Sequence, residues 1–262
     1  MITIYDWFGY ELPIKERYHL IKEAGFDGVL LWWSNGFGRD VFGQNDYRNG
    51  PQIAREAGLF IENIHAPVQT QNDLWLDNLD GDTLTDCYFK CVEDCSKFEI
   101  PTMVVHLPDE KNPYNLLGLD RIKRIAEKAE KLGVNVALEN VRNLSNLIYV
   151  LEQVASQRIG FCYDCCHHHN YNPGYDLLSM YGSRLMAIHL HDNGGSYAQH
   201  QLPFDGKIDW SNAMKKIAET NYSGGTALEP MNWDYKDLSA EEFLQKAFEK
   251  AKRLEALRHY NL

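Results

Sequence analysis

The sequence predicts a (β/α)8 barrel, the TIM-barrel architecture, with residues 1–262 forming one domain. Three observations lead there. Short apolar runs alternate with amphipathic helical stretches from one end to the other. Eight such units fit into 262 residues, a usual size for one closed barrel. No Pro/Ser-rich linker or charge block divides them, and no Gly-x-Gly-x-x-Gly fingerprint follows the first run, which argues against an open dinucleotide-binding sheet.

Each unit has its own grounds. Ile2–Tyr5 reads as the first strand and Ile14–Ala24 as the helix after it, closed by Gly25. Phe26–Trp32 is the second strand, followed by a loop rich in glycine and aromatics and a short helix over Pro51–Ala57 that ends at Gly58. Phe60–His65 makes a third strand. A helix over Thr83–Phe98 leads to the strand Thr102–His106, and a helix over Leu119–Leu132, stopped by Gly133, leads to Val134–Glu139. Asn146–Ser156 precedes Ile159–Asp164, Leu177–Tyr181 precedes Leu185–His189, and Trp210–Thr220 precedes Gly225–Glu229. The last helix opens on a capping box, Ser239 with Glu242, and runs to about Leu257. Near-continuous hydrophobic strands between amphipathic helices suit a parallel sheet covered by helices.

With 44% hydrophobic and 24% charged residues, the chain can bury a large core. No apolar run is long enough to span a bilayer, and Met1–Asp6 lacks the basic and hydrophobic regions of a secretion signal. A soluble cytoplasmic protein without membrane partners is therefore expected. The formal charge of -11 disfavours general attraction to nucleic acid. Cys87, Cys91 and Cys95 recur every four residues and share one helix face, as buried small side chains do. Cys162 and Cys165 have the spacing of half a redox or zinc site, but no second pair completes one, so reduced, structural thiols are expected.

Polar chemistry gathers at the C-terminal ends of the predicted strands, the face that carries active sites in barrels. His65, His106, Glu139, Asp164, His167, His189 and Glu229 lie at or just past such ends. If Glu139, Asp164, His189 and Glu229 point inward, so do the residues two before them, Ala137, Cys162, Ala187 and Ala227. All four are small and leave room for the ring above them to converge. Three converging carboxylates cannot all ionise without compensation. Any one of these residues alone reads as an ordinary solvent-facing side chain, but seven on six strand ends are explained by a divalent metal.

In this order the residues make the chain resemble the xylose-isomerase-like barrels, a family that includes endonuclease IV and many sugar isomerases and epimerases. The resemblance covers nearly the whole chain. It rests on Ile64-His65-Ala66, Val105-His106-Leu107, Leu138-Glu139-Asn140, Tyr163-Asp164-Cys165-Cys166-His167, Ile188-His189-Leu190-His191-Asp192, His200 through Asp209, and Leu228-Glu229-Pro230. For the isomerase and epimerase branch it implies one metal held by Glu139, Asp164, His189 and Glu229. For endonuclease IV it implies a larger zinc site, with second-metal histidines at His65 and His106 and third-metal ligands at His167, Ala198 and His200. Ala198 stands where that branch has an aspartate, so the third site is incomplete. His168, His169 and His191 are nearby histidines that could compensate, though they read first as solvated loop residues.

The strand-end loops favour a sugar over DNA. They are rich in aromatics, of which Trp7, Trp33 and Trp233 are the candidates for a pocket wall beside His65 and His106. Basic residues there are few (Arg39, Arg48, Lys111, Arg142, Lys207 and Lys236), whereas Asp73, Asp77, Asp80 and Asp82 cluster in the third loop. Duplex DNA needs the opposite balance. His106-Leu107-Pro108 also lacks the glycine that endonuclease IV has next, and the segment after Asn140 lacks its glycine-rich run. The expected reaction is therefore isomerisation or epimerisation of a small, unphosphorylated sugar through a metal-bound enediolate. Glu139 and Glu229 move the proton and His167 holds the substrate oxygen. The oxygen-rich set suits manganese, magnesium or cobalt; recruitment of His65 and His106 pulls toward zinc. The alternatives are a zinc phosphodiesterase acting on abasic DNA and a barrel that binds metal or sugar without turnover. Some of the aromatics serve equally well at a subunit interface, which leaves a homo-oligomer open.

Overall fold

The computed structural model describes residues 1–33, 47–109, 111–195 and 199–260. Eight parallel strands alternate with helices: β1 (Ile2–Tyr5), β2 (Gly28–Trp32), β3 (Phe60–His65), β4 (Thr102–Val105), β5 (Asn135–Glu139), β6 (Ile159–Asp164), β7 (Leu185–His189) and β8 (Thr226–Leu228). They pair in the order β7-β6-β5-β4-β3-β2-β1-β8. The two ends of that order meet through one isolated parallel bridge between Leu190 and Leu228. There Leu190 N donates to Ala227 O (2.9 Å) and Glu229 N donates to Leu190 O (3.0 Å). This closes the (β/α)8 barrel that the alternation predicts. No helix among the described residues is long and apolar enough to cross a membrane.

The helices are α1 (Ile14–Glu23), α2 (Gly50–Glu56), α3 (Leu79–Lys97), α4 (Leu116–Leu132), α5 (Leu144–Gln153), α6 (Cys165–Tyr171), α7 (Leu177–Tyr181), α8 (Trp210–Ala218) and α9 (Ala240–Tyr260). Helices α3 and α4 begin about a turn before their apolar periodicity does. In each an asparagine is the N-cap: Asn78 Oδ1 accepts Gly81 N at 3.0 Å, and Asn115 Oδ1 accepts Gly118 N at 2.7 Å. Their opening residues, Leu79 and Leu116, are exposed and so carry no core signal. The capping box of α9 forms in both directions, between Ser239 N and Glu242 Oε2 (2.8 Å) and between Glu242 N and Ser239 Oγ (3.2 Å). The six cysteines are free and buried.

Inside the barrel, Val104, Ala137, Cys162 and Ala187 form a fully buried layer of their own. Ala227 is equally buried but joins the larger apolar core between strands and helices. The small residues expected beneath the polar ring are thus in place.

Asp6, just past β1, is a buried acid in this frame. Tyr18 OH donates to its Oδ2 and Trp32 N to its Oδ1, each at 3.0 Å. Burial pushes its carboxyl up to about 6, only partly countered by Arg17. The folded state therefore holds a proton that the unfolded chain has lost, and stability falls as pH rises from about 4 to about 6. The stability of wild type relative to Asp6→Asn should decline across that window, by about 3 kcal/mol. Urea unfolding of both proteins at several pH values checks this; a flat or rising difference contradicts it.

Candidate metal centre at the strand ends

The strand ends bring the ring together by local bonding. Strand register sets Asp164 beside His189 and Trp32 beside His65. Asn140 locks the end of β5 to β6: its Nδ2 donates to Asp164 O (2.9 Å) and its Oδ1 accepts Asp164 N (2.8 Å). Asp164 Oδ1 in turn accepts His167 N at 2.7 Å and caps α6. That short helix carries the His167 ring back over the barrel, with Nδ1 3.1 Å from Glu139 Oε1.

Glu139 is the hub. Its Oε2 lies 3.4 Å from His65 Nε2, 3.2 Å from His106 Nε2 and 3.1 Å from His189 Nδ1. Glu229 Oε2 reaches the same His189 nitrogen at 3.3 Å. Glu139, Asp164 and His189 are essentially inaccessible to solvent, and Glu229 is buried. These approaches are short, yet among the described residues Glu139 Oε2, His106 Nε2, His167 Nδ1 and His189 Nδ1 make no hydrogen bond of normal geometry. They converge on a shared space instead of pointing along donor–acceptor lines.

The outer nitrogens sharpen this. His65 Nδ1 pairs with Ala66 O (2.9 Å) and His106 Nδ1 with Gln71 Oε1 (3.1 Å). Both partners are acceptors, so Nδ1 bears a proton in each ring, and in the neutral tautomer Nε2 turns a lone pair toward the Glu139 carboxylate. A cation between such lone pairs and a buried anion relieves their repulsion, and a ligating histidine with its other N–H given to a carbonyl is the usual arrangement. The two rings meet at 74°, so one ion can lie in both ring planes. The residues present fit a divalent metal.

Distance alone is a poorer guide than direction. His191, His200 and Glu229 also lie close enough to share an ion. The two imidazoles, however, are stacked 3.9 Å apart with planes 3° from parallel, so no ion can lie in both ring planes. His191 Nε2 instead bonds Asp164 Oδ2 at 3.0 Å, and His200 Nδ1 bonds Glu229 O at 3.0 Å.

Electrostatics agree with the geometry. Burial alone raises the Glu139 carboxyl, but the facing His106 and His189 outweigh it and hold it well below the usual carboxylate range. Burial disfavours charge on His167, His189 and His191, yet each is raised: His167 to about 9 by Asp164 and Glu139, His189 by Cys162 with Glu229 and Glu139, and His191 by Asp164. Burial pushes His200 down to about 4 and His106 below its usual value. Protons on three imidazoles thus answer three carboxylates, a compensation that a divalent ion supplies equally well by displacing them.

The expected site residues divide as follows. His65, His106, Glu139, Asp164, His167, His189 and Glu229 come together, with Asp164 already accepting one hydrogen bond on each oxygen. His200 adjoins Glu229, and Trp233, half exposed, stands 5.3 Å from its ring. Trp7 lies half-buried under the Arg17 guanidinium, 5.6 Å from its ring centre. Trp33 does not face the site: it is fully buried on the helix side, with Nε1 donating to Asp94 Oδ2 at 3.3 Å. Its predecessor Trp32 turns inward and stacks on His65. His191 is not a solvated loop residue but fully buried. Nor is His168 simply solvated: its Nδ1 pairs with Tyr163 OH at 2.9 Å and its Nε2 with Tyr175 O at 2.7 Å. His169 is half-buried. Ala198, Arg39 and the loop after Trp33 lie outside the described residues. Sequence reasoning also missed Tyr5, whose buried hydroxyl has no hydrogen-bond partner among the described residues and whose ring lies 6.2 Å from that of His65.

The loop after β7 is built around Asp192. Its Oδ1 accepts Asn193 N (2.8 Å) and Ile208 N (3.1 Å), and its Oδ2 accepts Phe204 N (2.8 Å) and Trp210 Nε1 (2.7 Å). A Cβ at Gly206 would stand 2.2 Å from Oδ1, so only glycine lets the loop wrap this carboxylate. The wrapped loop carries His200, itself in the left-handed region at φ 45°.

Residues 18–254 match the family described as xylose isomerase-like TIM barrel, and the chain belongs to that family. Protein y4fM of Sinorhizobium fredii is 27% identical over 98% of this chain and 94% of its own length. Fructoselysine 3-epimerase of Shigella flexneri is 24% identical over 42% of this chain and 43% of its own. Probable endonuclease 4 of Methanoculleus marisnigri is 31% identical over 38% of this chain and 45% of its own. Among solved structures, D-psicose 3-epimerase from Clostridium cellulolyticum superposes with a TM-score of 0.74 at 16% identity, covering 100% of this chain and 99% of that one.

Proposed function

We propose that the protein is a divalent-metal-dependent isomerase or epimerase of a small, unphosphorylated sugar. One observation carries the reading: Glu139 and Glu229, from β5 and from the end of β8, approach His189 Nδ1 from different walls, at 3.1 and 3.3 Å. Glu139, Asp164, His189 and Glu229 would hold the ion, with the Nε2 atoms of His65 and His106 available to it. When bound, a divalent ion supplies Lewis acidity toward a carbonyl oxygen and its neighbouring hydroxyl. One carboxylate would take the proton from a carbon next to the carbonyl, and the other, entering protonated, would deliver its own proton from the opposite wall. His167, held by the α6 cap, faces Glu139 Oε1 and positions a substrate oxygen. Exposed Asp77 and Asp80 after β3 support a sugar over DNA. Arg48, one of the few basic loop residues, is already paired with Asp94 at 3.2 Å.

The test is solvent-deuterium incorporation into D-tagatose, D-fructose and L-ribulose, followed by NMR. Metal-loaded protein should label the carbon next to the carbonyl. His65 and His106 facing Glu139 favour a second reading, a zinc phosphodiesterase. Metal-dependent incision of a duplex carrying one abasic site, with no sugar exchange, would replace the first reading by the second.

A further inference from the structure

We propose that Gln71 is the positioning residue for His106, fixing which nitrogen of that ring faces the metal centre; this rests on the metal-centre reading above. Of the two histidines that approach Glu139 Oε2 through Nε2, His65 is oriented by a backbone carbonyl next to it in sequence. Among the described residues His106 has a side chain for that purpose, Gln71 Oε1 at 3.1 Å from its Nδ1. An imidazole whose Nδ1–H is taken by an amide oxygen has one tautomer and one ring orientation, and its Nε2 is left unprotonated toward Glu139 at 3.2 Å.

The turn that carries the amide is tied on several sides. Gln71 opens a 3-10 turn over Gln71–Trp75 between β3 and α3. Arg121, buried in α4, donates from Nη1 to Leu74 O (2.9 Å) and Leu76 O (2.7 Å), and from Nη2 to Asp82 Oδ1 (2.7 Å). Asn115 Nδ2 donates to Trp75 O at 2.9 Å, and Asn72 Oδ1 accepts Asp109 N at 2.8 Å. The turn is thus tied to α4, α3 and the β4 loop at once. An outer partner that cannot wander holds a ligand more tightly than one on a free loop, because less freedom is lost when the ion binds.

The test is zinc affinity, by chelator competition, of the full chain stripped and reloaded, for wild type, Gln71→Leu, Gln71→Glu and His106→Ala. Gln71→Leu should weaken zinc by about 10–100-fold, the usual effect of removing an outer partner. It should also change the visible spectrum of the cobalt-loaded protein while leaving the melting temperature of the metal-free protein unchanged. Gln71→Glu, which keeps an acceptor in place, should bind within a few-fold of wild type or tighter. If Gln71→Leu does not fold, Gln71→Asn withdraws the oxygen by one methylene and should show the same loss. Wild-type affinity in His106→Ala would overturn the inference and leave the Glu139, Asp164, His189 and Glu229 set standing, whereas a wild-type chain that binds no zinc would overturn the metal-centre reading itself. A loss in His106→Ala with none in the Gln71 variants overturns the positioning role alone.

Discussion

Replacing Glu139 by glutamine should cost more than about 1000-fold in turnover and most of the bound metal, while leaving the protein folded. No other carboxylate of the ring faces four imidazoles, and an amide can offer the ion one weak oxygen and no charge. The same amide can donate to the lone pairs of His65 and His106, but it removes the buried anion that the raised His167 and His189 answer, so the metal-free variant should melt below wild type. Elemental analysis, sugar-exchange rates and thermal melts together make the check. Undiminished metal content with turnover within tenfold of wild type would remove Glu139 from both roles.

Asp192→Ala should destabilise the fold by about 4 kcal/mol or more, near the upper end for one substitution. Four N–H groups lose a charged acceptor at once, and each such bond is worth about 1.5–3 kcal/mol, though not additively. Asp192→Asn, which keeps one acceptor oxygen, should lose less. Urea midpoints for the three proteins decide the matter, and an Asp192→Ala shift below about 1 kcal/mol would show that the loop holds without this carboxylate. Because His200 and Trp233 lean on the same loop, a site that stays functional in Asp192→Ala would also show that neither needs it.

The strands were legible because each is a short apolar run bounded by turn residues, and β1, β3, β6 and β7 fall on the residues that periodicity gives them. Helix α6 was not. Cys165–Tyr171 has no apolar stripe, and its start depends on Asp164 acting as a cap, a role hidden behind its place in the ring. The converging residues were readable from strand ends and from the small residues two positions below. His191 carried a usable signal that went unread: it stands two after His189, and alternation places both on the inner side. The same parity separates Trp32 from Trp33. Gln71 had no signal at all, since nothing local marks a glutamine as the partner of a histidine 35 positions away.

The barrel is a sheet with two free edges, β7 and β8, joined at one bridge, and His189 and Glu229 stand on either side of that join. Anything that grips both side chains spans the seam as a clasp spans a bracelet. Loading the site and closing the cylinder are then thermodynamically linked events: the ligand's preference for the closed ring over the opened one adds directly to the work of parting these two strands. Damage elsewhere that loosens the seam should weaken ligand binding without touching a single residue that contacts the ligand, because the opened cylinder has no site to offer.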